Sequence, residues 1–211
     1  MVSLICHPTT RCDAVRSIQV EVRTTEPKTL ALRYVLEGDI TRLLIPAESA
    51  PQRADKLWQH TCFEAFVGAM ETAGYYEFNF SPSTEWAAYR FSAYREEMTA
   101  LDRAQPPRIS VRRDIDRLTL EVSIDFGLLR LPPDNSDLRL ALSAVIERAD
   151  RTLSYWAVAH PSGKPDFHHA AGFAVRLSDR NPPSPQPSPA RGEGDHKQQP
   201  SRARGEGKKR K

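Results

Sequence analysis

Apolar and polar positions alternate with period two through most of the chain. RSIQVEVRT (16–24), TLALRYVLEG (29–38), HTCFEAFVGAM (60–70), YYEFNFS (75–81) and EWAAYRFSAY (85–94) are each short and rich in β-branched or aromatic residues. RISVRR (108–113), LTLEVSIDF (118–126), DLRLALSAVIER (137–148), TLSYWAVAH (152–160) and GFAVRLS (172–178) continue the pattern. Clusters of turn-forming residues separate them. No fifteen-residue stretch carries a 3.6-residue period; AYREEMTALDRA (93–104) has the make-up for a couple of helical turns and reads equally as a loop. These segments predict an all-β domain, an antiparallel β-sandwich or barrel.

Successive side chains on a strand point to opposite faces, so parity assigns surfaces. Tyr76, Phe78 and Phe80 share one side, against Tyr75, Glu77 and Asn79. Leu118, Leu120, Val122, Ile124 and Phe126 form one apolar row, and Leu138, Leu140, Leu142, Ala144 and Ile146 another. Cys62, Glu64 and Phe66 share a side of their strand. In EWAAYRF, Tyr89 and Phe91 are read as core, which leaves Trp86 and Arg90 on the second face with Tyr75, Glu77 and Asn79. Rings beside carboxyl, amide and guanidinium groups suit a polar small-molecule site, because aromatic planes cover a flat ligand while polar groups orient it.

Composition divides the chain. From Asn181 onward there is no aromatic residue and the only apolar ones are Ala190 and Ala203, while six of the 17 prolines lie there. Such a stretch cannot bury enough surface to offset its ordering entropy. The expected organisation is an N-terminal segment (1–14), one β domain (15–178) and a disordered basic tail rich in Pro and Gly (179–211). PSPARGEG (187–194) returns as PSRARGEG (200–207), too short and polar a repeat to build structure. The whole chain carries +3 and residues 181–211 carry +5, so residues 1–180 carry −2. The basic character belongs to the tail, and the folded domain has no electrostatic footprint for nucleic acid. Cys6, Cys12 and Cys62 are odd in number with no CxxC spacing, and no apolar run reaches the length of a membrane span or signal h-region. A reducing cytoplasm and no membrane partner are the expectation.

WQHTCFEAFV (58–67), YYEFNFSPSTEWAAYRF (75–91), LTLEVSI (118–124) and SYWAVAHPSGKPDFHHAAGF (154–173), in that order, resemble the DOMON-like domains of bacteria. That superfamily includes family 9 carbohydrate-binding modules and the haem-binding DOMON cytochromes. The resemblance covers roughly residues 15–177; its most specific pieces are YEFNFSP with Trp86, and HPSGKPDFHH. It implies a β-sandwich of immunoglobulin-like or jelly-roll character that binds sugar or haem. In carbohydrate-binding relatives the strand matching HTCFEAF commonly reads D-D-x-V-E; Glu64 matches that Glu, while His60 and Thr61 stand in place of the two acids.

The chemistry then narrows. No GxSxG, Walker loop, HExxH or strand-linked GxGxxG is present, so catalysis is not favoured. Haem without CxxCH would need axial ligands from His60, His168, His169, Met70 or Met98, and spacing pairs none of them. The cofactor is therefore undefined, with haem the alternative. HPSGKPDFHH (160–169) holds three of the six histidines without zinc-ligand spacing. Pro161 and Pro165 around Gly163 make it a stiffened turn, with Phe167 plugging the core edge. The favoured reading is a non-catalytic binder of a sugar or sugar derivative. Trp58 and Trp86 stack on it, Glu64, Glu77, Asn79 and Arg90 hydrogen-bond it beside Tyr75, and His160, Lys164, Asp166 and His168 close the edge. A protein-interaction module using the same face is the third reading.

Overall fold

The computed structural model describes residues 1–177 apart from 27, 103, 104, 128, 130 and 132–137. The expected tail, 179–211, lies outside the described residues. Among those described, twelve strands form: β1 (Val2–Cys6), β2 (Val15–Glu26), β3 (Thr29–Gly38), β4 (Cys62–Ala69), β5 (Tyr75–Phe80) and β6 (Trp86–Phe91). They continue as β7 (Thr99–Ala100), β8 (Arg108–Arg113), β9 (Arg117–Asp125), β10 (Leu138–Glu147), β11 (Leu153–Ala157) and β12 (Val175–Leu177). Every pairing between them is antiparallel, in the order β7-β6-β5-β4-β10-β11-β1-β2-β3-β9-β8, with β12 also beside β10. The protein is an all-β antiparallel sandwich.

One sheet becomes two layers at β1. Val2, Ser3 and Leu4 pair with β2, whereas Ile5 and Cys6 pair with β11. This corrects the reading of residues 1–14 as a segment outside the domain: they supply the strand that joins the layers, and Leu4, Cys12 and Ala14 enter the core. Five residues of VSLIC show too little alternation to stand out. Residues 93–96 close a tight bridged turn and Thr99–Ala100 is a short strand, so the helical reading of 93–104 is not realised over its described part.

Parity places the core. Leu30, Leu32, Tyr34 and Leu36 of β3 and Leu118, Leu120, Val122 and Ile124 of β9 face Phe63, Ala65 and Val67 of β4, Tyr76, Phe78 and Phe80 of β5, and the even-numbered β10 row. Tyr34 packs on Phe63 at 5.0 Å between ring centroids. Its hydroxyl donates to the Glu64 carbonyl at 2.8 Å, which satisfies a phenol that burial would otherwise penalise.

The outward faces of the two layers differ. That of β2, β3 and β9 is solvated and carries surface ion pairs such as Arg33–Glu121, a class worth about 0–1 kcal/mol each. That of β4, β5 and β10 is covered. Leu57 from the 53–60 connection and Phe167 from 160–173 pack on Cys62, Phe66, Tyr75, Tyr89, Phe91, Ala141 and Val145 in a second apolar cluster. Every residue of β5 is buried as a result. Two of them, Glu77 and Asn79, are polar, and buried polar groups require partners.

Candidate functional site

Glu77, with Glu64 of β4, forms the floor of a cavity of about 380 Å3 under the covering loops. Antiparallel register puts Glu64 of β4 opposite Asn79 of β5 and Phe66 opposite Glu77, so the two carboxyls are diagonal neighbours on one face. Glu64 is 3% exposed and Glu77 6%. Ser143 Oγ on β10 donates to Glu64 Oε2 at 3.2 Å, and Asn79 Nδ2 donates to Glu77 Oε1 at 2.7 Å. Both side chains line the cavity.

Burial opposes their charge. It raises Glu77 to about 7, against the Asn79 hydrogen bond and the Arg95 charge, which pull it down. It raises Glu64 well above the usual carboxylate range, with the Glu77 charge adding to burial and the Ser143 hydrogen bond opposing it. Near neutral pH the pair therefore retains protons and presents both donors and acceptors to the cavity.

The wall beside Glu77 is His168. Its ring lies edge-on to Phe66 and Phe91, at 5.2 and 5.1 Å between centroids. The Arg95 backbone N–H donates to the Tyr75 hydroxyl oxygen at 3.2 Å, leaving the Tyr75 proton for His168 Nδ1 at 2.8 Å. That network selects the Nε2–H tautomer and aims it at Glu77 Oε2, 3.7 Å away. Burial first, then the Arg95 charge, lowers His168 to about 4, against the attraction of Asp166, so the imidazole is neutral. Asp166 holds the wall in shape: its Oδ1 accepts from the His168 N–H at 3.1 Å and from Arg95 Nη2 at 2.8 Å, and Oδ2 accepts from the Tyr94 hydroxyl.

Trp58 stands across the opening on the short turn Leu57–Gln59, where Lys56 takes a left-handed φ of 62°. It is 36% exposed and meets Tyr89 edge-on, while Tyr89 donates to Asp55 at 2.6 Å. Phe91, Tyr155 and Phe167 complete the aromatic walls.

The structure thus gathers Trp58, Glu64, Glu77 and His168 around one cavity, with Tyr75, Asn79 and Asp166 bonded to them. Two expected residues are elsewhere. Register pairs Phe80 with Trp86 and Tyr76 with Arg90, so both belong to the inward parity of β6. Trp86 is 5% exposed in the core between the layers, and Arg90 is exposed at the strand end. This corrects the placement of Trp86 and Arg90 on the face of Glu77 and Asn79: in β6, Tyr89 and Phe91 face the loops and Trp86 faces the core.

The remaining expected residues sit at the margin. His160 Nε2 is 2.8 Å from the Ile5 carbonyl, and its ring lies edge-on to His7. Lys164 lines a separate open groove with Arg95, Pro165 and Asp166. His60 bonds Glu147 at 2.7 Å, and the Thr61 hydroxyl donates to the Leu44 carbonyl and accepts from the Glu147 N–H at 3.0 Å, so both residues serve the end of β10. Of the residues weighed as haem ligands, His168 and Met98 line the cavity. Among the described residues, no group of three or more His, Cys, Asp or Glu is placed to hold a metal ion.

Phe91, Arg95, Tyr155 and Phe167 also line the cavity, though the sequence did not mark them as part of its wall. Arg95 and Glu97 adopt left-handed φ of 56° and 47°, folding the loop after β6 back over the opening. Nothing in AYREEM marks that turn, since neither residue is Gly or Asn. Tyr155 was legible only as a strand residue.

No protein-family model matches the chain, and no curated relative matches it. Among solved structures it is similar to a candidate carbohydrate-binding protein from Bacteroides uniformis, at 13% identity over 74% of this chain and 76% of that one, with a TM-score of 0.53. Family 9 carbohydrate-binding modules from Caldicellulosiruptor kristjanssonii also match: one in complex with glucose (13% identity, 70% and 69% covered, TM-score 0.41) and one with cellotriose (12%, 77% and 75%, 0.44). The first of these likenesses shows a common fold.

Proposed function

We propose that this protein is a non-catalytic binder of a small polar ring-shaped ligand, a sugar or sugar derivative, held in the cavity over Glu64 and Glu77. One observation carries the reading: two adjacent buried carboxyls floor a cavity of about 380 Å3 whose walls are aromatic. A pyranose offers C–H faces that pack on rings and hydroxyls that both donate and accept. Partly protonated carboxyls match those hydroxyls, and Trp58, Phe91 and Tyr155 match the faces. The volume lies within the usual ~300–1,000 Å3 of small-molecule sites. The fold shared with the Bacteroides protein and the resemblance of YEFNFSP and HPSGKPDFHH to DOMON-like domains support the same reading. The free thiols Cys6, Cys12 and Cys62 support a cytoplasmic location.

Thermal-shift screening of the full chain against neutral, acidic and amine-bearing monosaccharides tests it. A ligand at a hundred times its Kd adds about 2.7 kcal/mol to the folded state. For a domain of this size that is roughly 5–10 °C in Tm. No shift with any member of the panel contradicts the proposal.

A further inference from the structure

Resting on that reading, we infer that the ligand carries a positive charge: an amine-bearing sugar whose ammonium group sits against Glu64 and Glu77. The cavity floor has two carboxyls and no cation committed to them. His168 stands beside Glu77, but its Nδ1 accepts from Tyr75 and its aromatic surroundings keep it uncharged. Arg95 is at the rim with its guanidinium bonded to Asp166.

The other titratable groups facing the pair supply no positive charge. Cys62 lies on β4 beside Glu64, Tyr75 on β5, Tyr155 on β11, and Tyr34 reaches from the opposite layer to the Glu64 backbone. Burial pushes Cys62, Tyr34 and Tyr75 up, so they stay neutral. Among the described residues Glu64 Oε1 accepts no hydrogen bond, although the side chain is nine-tenths buried and lines the cavity. That oxygen is open to the cavity and can accept from a donor on a ligand there.

The walls specify what kind of cation. With no trio of metal-ligating side chains in place among the described residues, the matching cation is organic. Trp58, Phe91, Tyr155 and Phe167 present ring surfaces of the sort that attract ammonium groups and their adjoining C–H bonds. The sugar hydroxyls then reach Arg95 and His168 at the rim. An entering ammonium replaces the protons that the carboxyls otherwise hold. Binding therefore releases about one proton and tightens as pH rises through the range where Glu77 titrates, about 7.

Isothermal titration of the full chain with glucosamine, galactosamine and mannosamine, each against its hydroxyl parent, separates this inference from the broader one. The expected result at about pH 7 is one amino sugar binding at least roughly tenfold tighter than its parent, a margin typical of one charge-assisted hydrogen bond. The advantage shrinks at about pH 5.5, and buffers of different ionisation enthalpy report proton release. Glu77→Gln and, separately, Glu64→Gln should each reduce the preference. Parent sugars binding as tightly as the amino sugars, without proton release, would overturn the charge inference and leave the sugar site standing. Failure of both sets to bind would overturn both.

Discussion

Replacing Glu77 by Gln keeps the shape of the cavity floor and removes its ionisation. Asn79 can still donate to the new amide oxygen as it does to Glu77 Oε1. The folded protein holds the Glu77 proton up to about pH 7, whereas the ordinary value is 4.5. At 1.36 kcal/mol per pH unit the difference amounts to about 3 kcal/mol. Because the folded value is raised, stability is fully present below about pH 4.5 and is lost as pH rises through about 7. His168, lowered to about 4, contributes with the opposite sign between about 4 and 6.5. It is present in both chains, so it drops out of their difference. Glu77→Gln should therefore be more stable than the wild type by about 3 kcal/mol at pH 8 and by less than about 1 kcal/mol at pH 5. Relief of Glu64 from a neighbouring charge adds in the same direction. Urea denaturation followed by circular dichroism at the two pH values gives the comparison. A difference that does not change with pH, or a wild type that is the more stable at pH 8, refutes the reasoning.

Two further tests address the faces of the sheet. Trp86→Ala should cost about 3–5 kcal/mol in urea denaturation, as expected for a large ring lost from a core, whereas Arg90→Ala should stay within about 0.5 kcal/mol and leave ligand-induced Tm shifts unchanged. Trp58→Ala removes a half-exposed ring at the cavity mouth. It should lower affinity for any sugar that binds by roughly tenfold while changing stability by less than about 1 kcal/mol, measured by titration calorimetry and denaturation on the same samples.

The alternation of β5, β9 and β10 was legible because each has one clearly apolar parity, and the structure keeps those rows inward. Glu64 and Glu77 were each legible as candidate ligand contacts, but that they share a face follows from the register of β4 with β5. β6 was not, because WAAYRF carries rings on both parities, Trp86 on one and Tyr89 with Phe91 on the other. Alternation separates two faces but does not say which is inward; that depends on pairing with β5, a tertiary fact. The covering of the second face was hidden for a similar reason. Leu57 and Phe167 each sit alone in a loop, and only the folded path brings them over Cys62 and Phe66. The polar second face is the floor of a half-closed chamber, and this closure is what shifts the carboxyls.

The most direct measurement uses the three tryptophans. Trp58 lines the cavity, while Trp86 and Trp156 lie in the core between the layers. In a 15N-labelled sample titrated with a sugar that raises Tm, the account requires the Trp58 indole N–H signal to move in saturable fashion while the other two stay in place. Movement of Trp86 or Trp156 with Trp58 unchanged would put the ligand elsewhere and contradict it.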